Sequence, residues 1–261
     1  KRMKKVNILG VKIDSVTMDQ AYDFSMDFLR RKDGFHYIFT PNSEMIMAAK
    51  DKPQLKEALN SADLLIADGI GVVYASRIIK DPVPERVTGF DLTKKLLEGI
   101  SKEGQSAYFF GGAAGVAEEA AANLEKEFPG IQIVGCRNGY FKPEEEDAIV
   151  EDINRSGADL LLVCLGAEKQ EMWICRHRDR LKVSLALGVG GTLDGIAGRV
   201  QRAPEFYQKH GLEWFYRLMK QPSRFVRMLA LPKFGLYVLF RGKKYRKEEN
   251  SKGSGNDGTS C

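Results

Sequence analysis

The run Leu160-Leu-Leu-Val-Cys-Leu165 places six apolar residues in succession, with no polar position on either face. A strand of that kind is covered on both sides, as strands of parallel sheets are and half-solvated antiparallel strands are not. Five other short β-rich runs recur along the chain: His36–Thr40, Leu64–Ala67, Ala107–Phe110, Ile131–Cys136 and Leu185–Val189. The segments between them are long enough for crossover helices, and this βαβ alternation predicts a Rossmann-like, doubly wound, mainly parallel α/β sheet of about six strands. Ahead of it, Val6-Asn-Ile-Leu-Gly10-Val-Lys-Ile13 reads as a β-hairpin, and Thr17-x-x-Gln20 as a capping-box start for a helix reaching about Arg31.

Near Pro204 the alternation stops. Helical segments follow without intervening strands, at Pro204–Gly211, Leu212–Met219, Pro222–Leu229 and Phe234–Lys244. The expected organisation is a Rossmann-like domain over 1–200, a basic amphipathic helical appendage over 201–247 and a polar, glycine-rich, disordered tail over 248–261. Ten Lys or Arg and no Asp or Glu lie between Trp214 and Lys247, so without that segment the net charge of +5 becomes −5. The basic residues are interleaved with Phe, Leu, Met, Tyr and Trp, a composition that favours an anionic lipid surface over nucleic acid. The longest apolar run, Phe225 to Phe240, is broken by Arg227, Pro232 and Lys233 and is shorter than the roughly 20 residues a spanning helix needs. No signal-peptide pattern follows Lys1 to Lys5, and the cysteines at 136, 164, 175 and 261 form no C-x-x-C pair. A reduced, cytoplasmic setting on the inner face of the membrane is expected.

Loops after the strands are small or polar: Thr40-Pro-Asn-Ser, Ala67-Asp-Gly, Gly111-Gly, Arg137-Asn-Gly-Tyr, Gly166-Ala-Glu-Lys-Gln and Gly190-Gly-Thr-Leu-Asp194. In open α/β sheets that edge is where ligands bind. Asp68, directly after its strand, is placed for a general base in the crevice or, more plainly, for the N-cap of a helix beginning near Gly69. Arg86 offers a planar fork suited to a diphosphate or sugar hydroxyls, against a surface pair with Glu85 or Asp81; Asp91 reads as the cap of a helix over Leu92–Ile100. Gln170 can hydrogen-bond sugar hydroxyls with both donor and acceptor, or sit exposed in a first turn. Gly111-Gly112 and Gly190-Gly191 let backbone amides approach a nucleotide, or merely turn the chain.

Several chemistries are disfavoured. Gly69-Ile-Gly71-Val-Val-Tyr74 has Tyr where a dinucleotide fingerprint needs its third glycine, and no G-x-x-x-x-G-K-[ST] is present. Aspartates with D-x-D spacing are absent and His36, His177 and His210 are isolated, so no metal or other cofactor is expected. A diphosphate leaving group would then need protein cations, for which Arg217, Arg224 and Arg227 are available, unless they form only a lipid-attracting face.

Seven segments together carry a family resemblance: Thr40-Pro-Asn-Ser-Glu44, Ala67-Asp-Gly-Ile-Gly71, Pro84-Glu-Arg-Val-Thr-Gly-Phe-Asp91, Arg137-Asn-Gly-Tyr-Phe141, Cys164-Leu-Gly-Ala-Glu-Lys-Gln-Glu171, Gly188-Val-Gly-Gly-Thr-Leu-Asp194 and Arg202-Ala-Pro-Glu205. In their order, over roughly residues 5 to 245, the chain resembles the TagA-type members of the WecG/TagA/CpsF glycosyltransferases, glycosyltransferase family 26. The resemblance implies metal-independent, inverting transfer of N-acetylmannosamine from UDP-ManNAc to the 4-hydroxyl of GlcNAc on undecaprenyl diphosphate, a β-1,4 linkage toward wall teichoic acid. It puts the base on Asp68 and sugar-contacting groups on Thr40, Asn42, Arg86 and Gln170. Uridine-side residues fall near Tyr140, Gly191 and Asp194, with Gly112 and Gly166 in the neighbouring glycine turns. The diphosphate falls near Arg217, Arg224 and Arg227 of a membrane-bound appendage that closes over the site. Glu168 departs from the pattern, since the family usually has proline there. A related UDP-hexose transferase, a non-catalytic lipid-binding adaptor and a nucleotide-cofactor oxidoreductase are the rival readings, and a homo-oligomer packed through the apolar appendage stays open.

Overall fold

The computed structural model describes residues 3–201, 203–204, 206–207, 212–220 and 232–240, with backbone alone at Arg217 and Lys220. Arg224, Arg227, the helix expected at Pro222–Leu229 and the tail over 248–261 lie outside the described residues.

The hairpin forms from β1 (Lys5–Ile8) and β2 (Val11–Asp14), paired antiparallel across Leu9 and Gly10. Both turn residues have positive φ, 54° and 92°, as the tight turn between right-twisted strands requires. Thr17 and Gln20 make the reciprocal capping box that opens α1 (Met18–Arg31). The sheet then assembles from β3 (His36–Phe39), β4 (Leu64–Leu65), β5 (Ser106–Gly111), β6 (Gln132–Arg137), β7 (Leu160–Cys164) and β8 (Leu185–Gly188). Their spatial order is β4-β3-β8-β7-β5-β6, and every described pairing in this sheet is parallel.

Alternation along the central strands divides the core into two layers. Tyr108, Phe110, Leu161 and Val163 face one side, where they meet the hairpin, α2 (Ser43–Asp51), α3 (Pro53–Asn60), α4 (Ile70–Ile78), α7 (Glu146–Ser156) and α8 (Lys169–His177). Ala107, Phe109, Leu160, Leu162 and Cys164 face the other, against α1, α5 (Gly89–Glu103), α6 (Val116–Glu127) and α9 (Thr192–Ile196). Each fully buried Leu, Val or Phe contributes about 1.5–3 kcal/mol, which is why a strand apolar on both faces selects the middle of the sheet.

Strand β4 lies at the edge of the sheet but is buried, and one of its backbone amides is taken up by a side chain. Asp14 Oδ2 accepts the Leu65 N–H at 2.8 Å while Lys5 reaches the same carboxylate at 3.3 Å. Burial pushes the Asp14 carboxyl above its ordinary range, and those two partners pull it back. Beyond α9, Glu213–Lys220 and residues 232–240 are helical. Phe234 and Val238 are buried in the same apolar layer as α2 and α8. Among the described residues, no helix is long and apolar enough to cross a membrane.

Candidate active site

Strand order puts the carboxyl ends of β3 and β8 side by side, with β4 at the edge beyond β3. The chain leaves β3 for α2 on one face of the sheet and β8 for α9 on the other, the arrangement that makes a crevice at the strand ends of open α/β sheets. Thr40, buried at the end of β3, donates its hydroxyl to the Gly188 carbonyl at 3.1 Å. Asn42 caps α2, its Oδ1 accepting the Met45 N–H at 3.0 Å. Three contacts draw the neighbouring segments in. A side chain at Gly69 would meet Asn42 Cβ at 3.4 Å, one at Gly89 would meet Thr40 at 3.1 Å, and one at Gly188 would meet Gln170 Nε2 at 3.3 Å. Thr40, Asn42, Asp68 and Gln170 are therefore gathered at one rim although 128 residues separate Asn42 from Gln170.

Half-buried Asp68 does not cap the helix that follows it. Helix α4 starts at a Gly69 N-cap without any side-chain bond, and Asp68 Oδ1 instead accepts the Gly89 N–H at 3.1 Å, the first amide of α5. The α5 N-terminus thus orients the carboxylate at the crevice and stabilises its charge. Asp91 is not the α5 cap either. Thr88 is: its Oγ1 accepts the Asp91 N–H at 3.1 Å and donates to Asp91 Oδ2 at 2.6 Å, so the helix begins three residues earlier than the apolar pattern suggested.

Arg86 forms neither surface pair expected of it. Its Nε donates to the Asp68 carbonyl at 3.0 Å and its Nη2 to Glu213 Oε2 at 2.6 Å. Glu213 opens the helix Glu213–Lys220, so an ion pair joins the C-terminal region to the residue beside the crevice carboxylate. Arg217 follows on that helix, where only its backbone is described.

Gln170 is buried and not an exposed first-turn residue. Its Oε1 accepts the Gly190 N–H at 2.9 Å and its Nε2 donates to Glu171 Oε1 at 2.8 Å. Burial raises the Glu171 carboxyl to about 7, against bonds from Gln170 and backbone amides that lower it, and nearby Glu168 adds to the rise. A carboxyl held above its unfolded value contributes stability that is full below about 4.5 and lost as pH passes about 7. The melting temperature of wild type minus that of Glu171→Gln is thus expected to fall between pH 5 and 8, and thermal denaturation across that interval checks it.

A second group occupies the rim over β5, β7 and β8. Gly112 N–H donates to the Cys164 carbonyl at 3.1 Å, and Gly139 N–H to the Gly112 carbonyl at 2.9 Å. Backbone amides of Thr192 and Leu193 approach the Cys164 sulfur, whose thiol burial pushes up to about 12. Gly191 is the N-cap of α9 and Asp194 lies in its first turn. Gly166 accepts the Gln170 N–H through its carbonyl at 3.1 Å. Tyr140 projects outward, 79% exposed, and Lys169 bonds the adjacent Gly139 carbonyl at 3.3 Å while lying over the Phe141 ring. Glu168 has φ 66° and ψ −45°, a conformation closed to proline, and pairs with Lys52. The loop's path therefore excludes proline, while Glu168 takes a backbone conformation that residues other than glycine rarely adopt.

Glu171 and Glu213 were not singled out from the sequence. No group of His, Cys, Asp and Glu among the described residues could hold a metal ion.

A doubly wound α/β domain with a carboxylate, an arginine and an amide at one sheet edge, and glycine-lined amides at the next, is of the type that takes nucleotide ligands. Residues 6–248 match the model of the glycosyl transferase WecG/TagA/CpsF family, and the chain belongs to that family. It is similar to the N-acetylglucosaminyldiphosphoundecaprenol N-acetyl-beta-D-mannosaminyltransferase of Bacillus spizizenii, 37% identical over 203 residues, which is 78% of this chain and 78% of the relative.

Proposed function

We propose that the protein transfers N-acetylmannosamine from UDP-ManNAc to the 4-hydroxyl of GlcNAc-diphosphate-undecaprenol, as an early step of wall teichoic acid linkage-unit synthesis. The observation that carries this reading is the convergence of Thr40, Asn42, Asp68, Arg86 and Gln170 in a chain 37% identical to an enzyme named for that transfer. Asp68 takes the proton of the acceptor hydroxyl as its oxygen attacks the anomeric carbon opposite UDP, which inverts the centre in one displacement. Thr40, the Asn42 amide and Gln170 bind sugar hydroxyls. The glycine turns at Gly112, Gly166 and Gly191, with Tyr140 and Asp194, receive the nucleotide.

Charge developing on the departing diphosphate is met by arginines, with Arg86 in the crevice and Arg217, Arg224 and Arg227 supplied by the basic segment, in place of a divalent metal. The same segment holds the enzyme at the cytoplasmic face of the membrane, where its acceptor resides.

A coupled UDP-release assay with a short-chain GlcNAc-diphosphate lipid tests the reading. UDP release is expected with UDP-ManNAc, to require the lipid and to persist in chelator. Release from UDP-GlcNAc alone would overturn the donor assignment, and loss in chelator the metal independence. Liposome binding with no UDP release from either donor would favour the adaptor.

A further inference from the structure

Glu171 is a carboxylate with no role in the reaction as drawn, and its surroundings do not favour keeping it for stability. It is wholly buried in the first turn of α8; Oε1 accepts from Gln170, the backbone amides of Glu168 and Glu171 lie close to the carboxyl, and Oε2 has no partner at hydrogen-bond geometry among the described residues. A buried carboxylate with an unsatisfied oxygen costs free energy that an apolar residue of similar size would not.

What it does supply is a direction. The Gln170 amide can turn end over end, and only its neighbours decide which way it lies. As observed, Nε2 faces the Glu171 oxygen and Oε1 faces the Gly190 N–H. In the reversed orientation Nε2 would oppose an N–H donor and, wherever Glu171 is ionised, Oε1 would oppose a carboxylate, so both contacts would then repel. The amide also lies directly on the bare backbone of Gly188, where a side chain would meet Gln170 Nε2 at 3.3 Å. Gly190 precedes Gly191, the N-cap of α9. One line of contacts thus runs from Glu171 through Gln170 to the turn that opens α9.

We propose that Glu171 is a positioning residue: it fixes the orientation of the Gln170 amide and, through it, the Gly190-Gly191 turn, for binding of the sugar-nucleotide donor. The proposal rests on the donor site assigned under Proposed function.

The test uses the full chain with Glu171→Leu and Glu171→Gln. Three quantities are read: UDP affinity by calorimetry, donor KM against kcat, and hydrogen exchange at the Gly190 amide by NMR. Glu171→Leu is expected to fold and to weaken UDP affinity and raise donor KM about ten-fold, the size of one lost hydrogen bond, with faster Gly190 exchange and a smaller change in kcat. Glu171→Gln, whose carbonyl can accept the same bond from Gln170, restores all of these to within about three-fold. Glu171→Leu with wild-type UDP affinity and Gly190 exchange would overturn the proposal, as would a glutamine variant as impaired as the leucine one. If Glu171→Leu does not fold, the wild-type chain still decides. Slow exchange of the Gln170 side-chain amide protons supports the anchored amide, and solvent-like exchange refutes it. Wild type that binds no UDP would sink the donor-site reading itself, whereas wild type that binds UDP beside an unaffected Glu171→Leu sinks only the positioning role.

Discussion

Asp68→Asn is expected to lower turnover by about 10²- to 10⁴-fold, the range that general-base help supplies, with UDP affinity nearly unchanged. Asparagine keeps a carbonyl oxygen that can accept the Gly89 N–H now bonded to Asp68 Oδ1. The α5 N-terminus and the Asp68 carbonyl that holds Arg86 should therefore stay in place. What asparagine lacks is basicity. Single-turnover kinetics with saturating donor and lipid acceptor isolate that loss from substrate binding, and calorimetry with UDP measures the affinity. Turnover within a few-fold of wild type would remove Asp68 as the base.

The largest stability effect is expected at Gly111→Ala, about 3–5 kcal/mol, or roughly 6–20 °C in melting temperature. Gly111 ends β5 with φ 141°, and a Cβ there would lie 2.3 Å from the Cys164 carbonyl oxygen and 2.5 Å from its carbon. These are backbone atoms of β7, paired with Gly111 in register, so no rotamer change relieves the overlap. Two central strands would have to separate, and the same carbonyl would lose the Gly112 N–H. Gly104→Ala is the control. It also has positive φ, 72°, but nothing lies within 4 Å of the added carbon, so only the backbone strain of about 1–2 kcal/mol remains. Equal losses in the two variants would show that strain and not collision sets the cost.

The parallel sheet was legible because burial on both faces writes continuous apolar runs, as in Leu160–Leu165, and a helical period writes something different. The β-rich run Leu64–Ala67 is longer than the strand it forms, Leu64–Leu65, since the ladder with β3 covers only two residue pairs before the chain leaves toward Asp68. The capping errors share one cause. The alternative reading of Asp68, as the cap of the helix next to it in sequence, looks only at local order, whereas its carboxylate serves a helix twenty-one residues on. At Thr88-Gly-Phe-Asp91 a capping pattern was present and could have been found. Gln170 and Glu171 look like ordinary first-turn residues in Lys169-Gln-Glu171, because burial of a polar pair depends on the strands beneath it. The partnership of Arg86 with Glu213 spans 127 residues and has no local signature at all.

A guanidinium carries five N–H donors, and Arg86 commits one to the Asp68 carbonyl and another to Glu213. An anionic ligand arriving at Arg86 must therefore share the fork with Glu213 or displace it. Either outcome makes occupancy of the crevice and seating of the helix Glu213–Lys220 energetically reciprocal: whatever factor one imposes on the other's equilibrium is returned in full.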